Sequence, residues 1–156
     1  MTDEDGKTAA SFTDGEGRTV LERRSAGGGN FADTHYVYDS RGLLRYVLPP
    51  EASARFEKGD GASADIISSL CYAYGYDALD RCVKKTLPGC APVLMRYDRG
   101  GRLCLWQDGN LRAKGRWAVT LRDRYGRTAV KALARVDNPQ KADSLSLCVR
   151  FTGGDG

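Results

Sequence analysis

One short signature returns five times along this chain: an aspartate, two variable residues, a glycine and an arginine, followed by an apolar run. Aligned on the aspartate, the copies are FTDGEGRTVLERR, VYDSRGLLRYVL, GYDALDRCVKKTL, RYDRGGRLCLWQ and LRDRYGRTAVKAL. The aspartates are Asp14, Asp39, Asp77, Asp98 and Asp123, at steps of 25, 38, 21 and 25 residues. Asp at the first position of a tight turn accepts hydrogen bonds from backbone N–H groups two residues on, which fixes the turn locally. Gly17, Gly42, Gly101 and Gly126 suit the positive φ that closes a type I turn with a bulge. The third copy carries Asp80 there, and Asp is among the few residues that tolerate that conformation.

A step of this length holds two strands of ~6 to 8 residues, a turn and a short link, so each copy is one β-hairpin. A lone hairpin is marginal in water, and neighbouring copies must therefore pair edge to edge. The expected fold is all-β: tandem antiparallel hairpins forming an extended sheet. The 19 Gly and 8 Tyr agree with short strands and many turns. The repeats are placed over residues 1–135, with turns at 14–17, 39–42, 77–80, 98–101 and 123–126 and an insertion at 49–70. Residues 136–156 read as a linker and the start of a further strand.

Between the copies the signals are weaker. Pro49-Pro50 reads as the end of a strand, because proline cannot donate to a ladder. The rest of the insertion reads as a loop with one short helix, over Ala62–Leu70, placing Ile66, Ile67 and Leu70 on one face. Asn110 is the expected N-cap of a helical turn that stops at Gly115. Residues 135–143 form a polar loop with an Asn-Pro breaker, and Leu145–Phe151 alternate as a strand. Such a segment is expected to have unpaired edges and to associate more readily than a longer array.

Repeated Tyr-Asp-x-x-Gly-Arg flanked by strands resembles the RHS/YD-repeat family over about residues 10–135. The segments THYVYDSRGLLRYVLPPEAS, YGYDALDRCVKKTLPG and LMRYDRGGRLCLWQDGNLRAKGRW are similar to the form in long surface or secreted proteins of Bacteroidetes-type bacteria. Thr13 and Arg122 stand where that pattern has Tyr, and Leu43 where it has Arg. The resemblance implies a length of a curved, spiral β-shell that in toxin-type members encloses a C-terminal effector. It also implies an extracellular or cell-surface location, with neighbouring repeats of the parent chain as partners. The family's self-cleaving core has Asp-Pro motifs; the chain contains no Asp-Pro, and self-processing is not expected.

No residue is expected to act as a catalyst, cofactor ligand or metal ligand. His35 is the only histidine, so a Ser-His-Asp, Cys-His or His-rich metal site would need it, and it reads as a strand-face residue. The turn aspartates recur with Gly at a fixed offset, which argues for turns rather than a glycosidase carboxylate pair. Neither DGEGRTV nor SAGGGN is a phosphate loop. The five cysteines, Cys71, Cys82, Cys90, Cys104 and Cys148, lack any C-x-x-C spacing and read as small hydrophobes.

Charge is uneven: residues 1–65 hold 8 Lys and Arg against 12 Asp and Glu, whereas residues 81–127 hold 12 against 3. The basic stretch reads as the arginine that each repeat places after its turn, not as a nucleic-acid surface. The alternative to a shell segment is a cell-surface module that holds carbohydrate on exposed Tyr, Trp106, Trp117 and Arg side chains. No apolar run reaches the ~20 residues of a membrane-spanning helix, and Met1–Phe12 lacks the marks of a signal peptide.

Overall fold

The computed structural model describes residues 8–59 and 64–144. The strand expected over Leu145–Phe151 lies outside the described residues. Ten strands follow one another: β1 (Ala9–Thr13), β2 (Thr19–Gly27), β3 (Asn30–Tyr38), β4 (Leu44–Leu48), β5 (Tyr72–Tyr76), β6 (Cys82–Thr86), β7 (Val93–Tyr97), β8 (Leu103–Gln107), β9 (Trp117–Arg122) and β10 (Thr128–Ala134). Three short helices intervene, α1 (Pro50–Glu57), α2 (Ala64–Leu70) and α3 (Gly109–Ala113), and a 3-10 stretch covers Pro139–Ser144. The fold is all-β, and within each of its two units the strands are ordered as in the sequence.

The chain forms two compact units, residues 1–93 and 94–156. In the first, β1 to β6 make an antiparallel meander in which each strand pairs with the next. The link between β2 and β3 is a tight turn at Gly28-Gly29, where Gly27, Gly28 and Gly29 all have positive φ. In the second unit β7 pairs with β8, β8 with β9 and β9 with β10, again antiparallel. Its core is Cys104, Leu105, Trp117 and Val119, with Leu94, Leu121, Ala134 and Val136 packed around it.

The insertion contains two helices, not the single one expected. Pro50 ends the extended segment but opens α1: it occupies the first helical turn, where a missing N–H costs nothing and the fixed φ is already helical. Glu51 in the first turn and Arg55 in the last favour the helix dipole and bond to each other at 3.3 Å. Ala52 and Ser53 are buried, so the helix has a small-residue face turned inward. The N-cap of α3 also differs from expectation. Asp108, not Asn110, caps it, its carboxylate accepting from Leu111 N at 2.8 Å, because Asn110 already lies inside the helix. Gly115, with φ +60, follows the end of that helix.

Candidate functional site

The five repeat turns share one local geometry. In each, the N–H of the residue three after the aspartate donates to the aspartate carbonyl, as in Gly17 N to Asp14 O at 3.0 Å and Gly101 N to Asp98 O at 3.0 Å. The strand register shifts beside every turn, the signature of a bulge. Asp80 takes the glycine's place at φ 59. One carboxylate oxygen accepts the N–H of the residue four on at 2.9 to 3.0 Å in all five turns. The other oxygen takes the arginine Nε at 2.7 to 2.9 Å in the four turns that have that arginine.

This bonding holds all five carboxyls below the usual carboxylate range. For Asp14 the chief cause is the Arg18 side chain, and for Asp39 the Leu43 backbone N–H. In Asp77, Asp98 and Asp123 partial burial works upward, and the bonds from Arg81, Arg102 and Arg127 outweigh it. Each carboxylate is thus committed to its own turn and is poorly suited to proton transfer.

The residue before the turn aspartate joins one hairpin to the one before it. Tyr38 Oη donates to Thr19 O at 2.9 Å, and Tyr76 Oη to Leu44 O at 2.8 Å. In both cases the acceptor lies five residues after the preceding turn aspartate. Arg122, which departs from the tyrosine pattern, makes the equivalent bond from its guanidinium to Leu103 O at 2.9 Å. The substitution keeps the joint while changing its donor.

The arginine of one turn also covers the next. The Arg18 guanidinium lies 5.0 Å from the Tyr38 ring centroid, a cation–π distance. A Cβ added to Gly42 would meet Arg18 Nη1 at 2.8 Å, and one added to Gly126 would meet Arg102 Nη1 at 3.1 Å. At these two turns glycine therefore provides room for the neighbouring arginine as well as positive φ. The second turn has Leu43 in place of arginine, and there Arg41 reaches the carboxylate of Asp80 on the third turn.

His35 has a structural setting. Its Nδ1 lies 3.0 Å from Ser53 Oγ, whose hydroxyl donates to Leu48 O at 3.1 Å. With the serine proton so directed, the imidazole N–H donates to Ser53 and cannot act as its base. Ser53 is 3% exposed, and Asp33 is held by Arg23 at 2.5 and 2.8 Å. The chain of bonds anchors α1 on β3. A cleft of about 370 Å³ lies beside it, lined by His35, Val37, Leu48, Phe56 and Glu57.

Among the described residues no group of three or more His, Cys, Asp or Glu side chains could hold a metal ion. Cys71, Cys82, Cys90 and Cys104 are thiols outside any disulfide among the described residues; Cys71 and Cys104 are buried, and burial pushes both upward in pKa. Cys148 lies outside the described residues. The arginines of the basic stretch are largely engaged in turns and strands, as Arg81, Arg102, Arg122 and Arg127 illustrate. Among the described residues no helix is long and apolar enough to cross a membrane.

No protein-family model matches the chain, and no curated protein matches it. Solved structures do. The chain superposes on the structure of the Photorhabdus luminescens Tc holotoxin pore with the TccC3 D651A mutation, at TM-score 0.61 and 16% identity over 83% of its length. It also superposes on the TcdB2–TccC3 crystal structure at TM-score 0.62 and on the TcdB2–TccC3–Cdc42 complex at 0.61, each at 16% identity and 83% coverage. The chain spans about 6% of the length of each of these chains. The likeness defines the class: an all-β, RHS-like repeat fold.

Proposed function

We propose that this chain is a non-enzymatic wall segment of a larger RHS/YD-repeat protein, secreted or displayed at the cell surface, whose shell surrounds a C-terminal toxin or effector. The repeats occupy residues 1–135, and the partners are neighbouring repeats of the parent chain and the enclosed domain. One observation carries the reading: Tyr38, Tyr76 and Arg122 each tie a hairpin to a backbone carbonyl of the hairpin before it. Polar side chains of the kinds that do chemistry elsewhere are used here to make joints, and an array built this way can be extended without altering any single unit. The toxin chains with which it shares its fold give the enclosed effector its support.

The carbohydrate-binding alternative draws on Tyr125, which is 67% exposed and has the Arg124 and Arg127 guanidiniums 4.6 and 5.2 Å from its ring centroid. Against it, Trp117 is 6% exposed, and the hydroxyls of Tyr38 and Tyr76 are occupied. The test compares this chain with one extended by two repeats at each end from the parent protein, using light scattering and thermal melting. The longer chain should melt higher and associate less. A short chain that stays monomeric and melts as high would make it a closed domain and overturn the wall reading.

A further inference from the structure

Two departures from the repeat, Leu43 in the second turn and Asp80 in the third, belong to one joint. We infer that Arg41, Leu43 and Asp80 form a matched key that selects the third hairpin as the neighbour of the second across the insertion. The inference rests on the shell-segment reading only in treating the hairpins as stacking units.

The geometry of the ordinary joint sets the rule. Arg18 and Arg102, each four residues after its turn aspartate and held by it, project over the next turn, into space that a Cβ at Gly42 or Gly126 would occupy. Glycine three residues after the next aspartate lets that guanidinium stay where it is, whereas a side chain there makes it move aside. Both joints showing this contact obey: Arg18 with Gly42, and Arg102 with Gly126. The second turn has Leu43 and projects no guanidinium from that place, so the next turn is free to carry a side chain there. Asp80 does so, and its carboxylate receives Arg41, two residues after Asp39.

The key works in both directions. A hairpin with glycine in the third turn's place would leave Arg41 only the Asp39 carboxylate of its own turn, 3.7 Å away. A third hairpin docked behind an arginine-bearing turn such as the first would bring the Asp80 Cβ to the place of the guanidinium and make it move aside. Attraction to the right neighbour combined with obstruction of the wrong one is how specificity is ordinarily built. Its position fits a need. The step from Asp39 to Asp77 is 38 residues, against 21 to 25 elsewhere, and longer connections make it entropically costlier to bring the correct strands together. The side chains supply specificity where the connection supplies least.

A double-mutant cycle on the full chain tests this. L43R, D80G and L43R/D80G are compared with the native protein by reversible denaturant unfolding. L43R should lower the unfolding midpoint in the native background and raise it in the D80G background, where the ordinary arginine–glycine joint is rebuilt. An equal shift in both backgrounds overturns the key. R41Q, D80N and their combination give a second cycle that keeps positive φ tolerable at position 80. The double variant should lose no more than the larger single loss; additive losses refute the pairing, even if L43R does not fold.

Discussion

Tyr76→Phe isolates one inter-hairpin joint with little other change. The hydroxyl donates to Leu44 O at 2.8 Å between half-buried residues, and burial raises the tyrosine pKa. A neutral intramolecular hydrogen bond contributes about 1 kcal/mol net, and leaving an acceptor stranded costs more as water is excluded from it. Since Leu44 is only half-buried, the lower end applies, and we expect a loss of about 1 kcal/mol, or roughly 3 °C in melting temperature for a chain of this size. The ring stays, so packing should hardly change. Tyr72→Phe is the control: Tyr72 is also half-buried on the same strand but makes no side-chain hydrogen bond among the described residues, and its hydroxyl should matter by less than about 0.5 kcal/mol. Denaturant unfolding of both variants gives the comparison. A Tyr76→Phe loss no greater than that of Tyr72→Phe would refute the joint.

Arg122→Tyr should be nearly neutral and Arg122→Leu should cost about 1 kcal/mol, because the joint needs a donor to Leu103 O rather than an arginine; equal losses in the same unfolding assay would contradict this. Gly17→Ala should cost about 1 to 2 kcal/mol for its φ of +80 alone, and Gly42→Ala, at φ +79, should cost more because its Cβ also displaces Arg18. Equal midpoints for the two variants would remove the second role from Gly42. The turn carboxyls have depressed pKa values in the folded chain, so their contribution is complete above the ordinary value of 3.8 and is lost as pH falls through the folded values. Melting temperature should hold between about pH 5 and 7 and fall below about pH 4. Asp98→Asn should be less stable at neutral pH and show a smaller acid-induced fall; an unchanged fall would count against the assignment.

The turns were readable because their causes are local. Asp, Gly and Arg act within five residues, and a repeated local cause leaves a repeated string. The joints were not readable in the same way. Tyr38 looks like an ordinary strand residue until Thr19, 19 residues earlier, is brought beneath its hydroxyl. Arg122 read as a flaw in the pattern because letters were compared, whereas its function as donor is preserved. Leu43 and Asp80 read as separate exceptions for the same reason, since only pairing puts Arg41 beside Asp80. The serine of the His35 anchor stands 18 residues from its partner, in a helix where the sequence reads as loop. Pro50 showed where extended structure ends, but not that a helix would begin there.

The joints made by Tyr38, Tyr76 and Arg122 end on main-chain carbonyls, and a carbonyl is the same whichever side chain its residue bears. Thr19, Leu44 and Leu103 serve alike as acceptors. Mutation can therefore rewrite the receiving position freely without disturbing the bond, and only the donor and the turn are held to a narrow alphabet. A chain built on that division of labour can change far in composition while its architecture stays put.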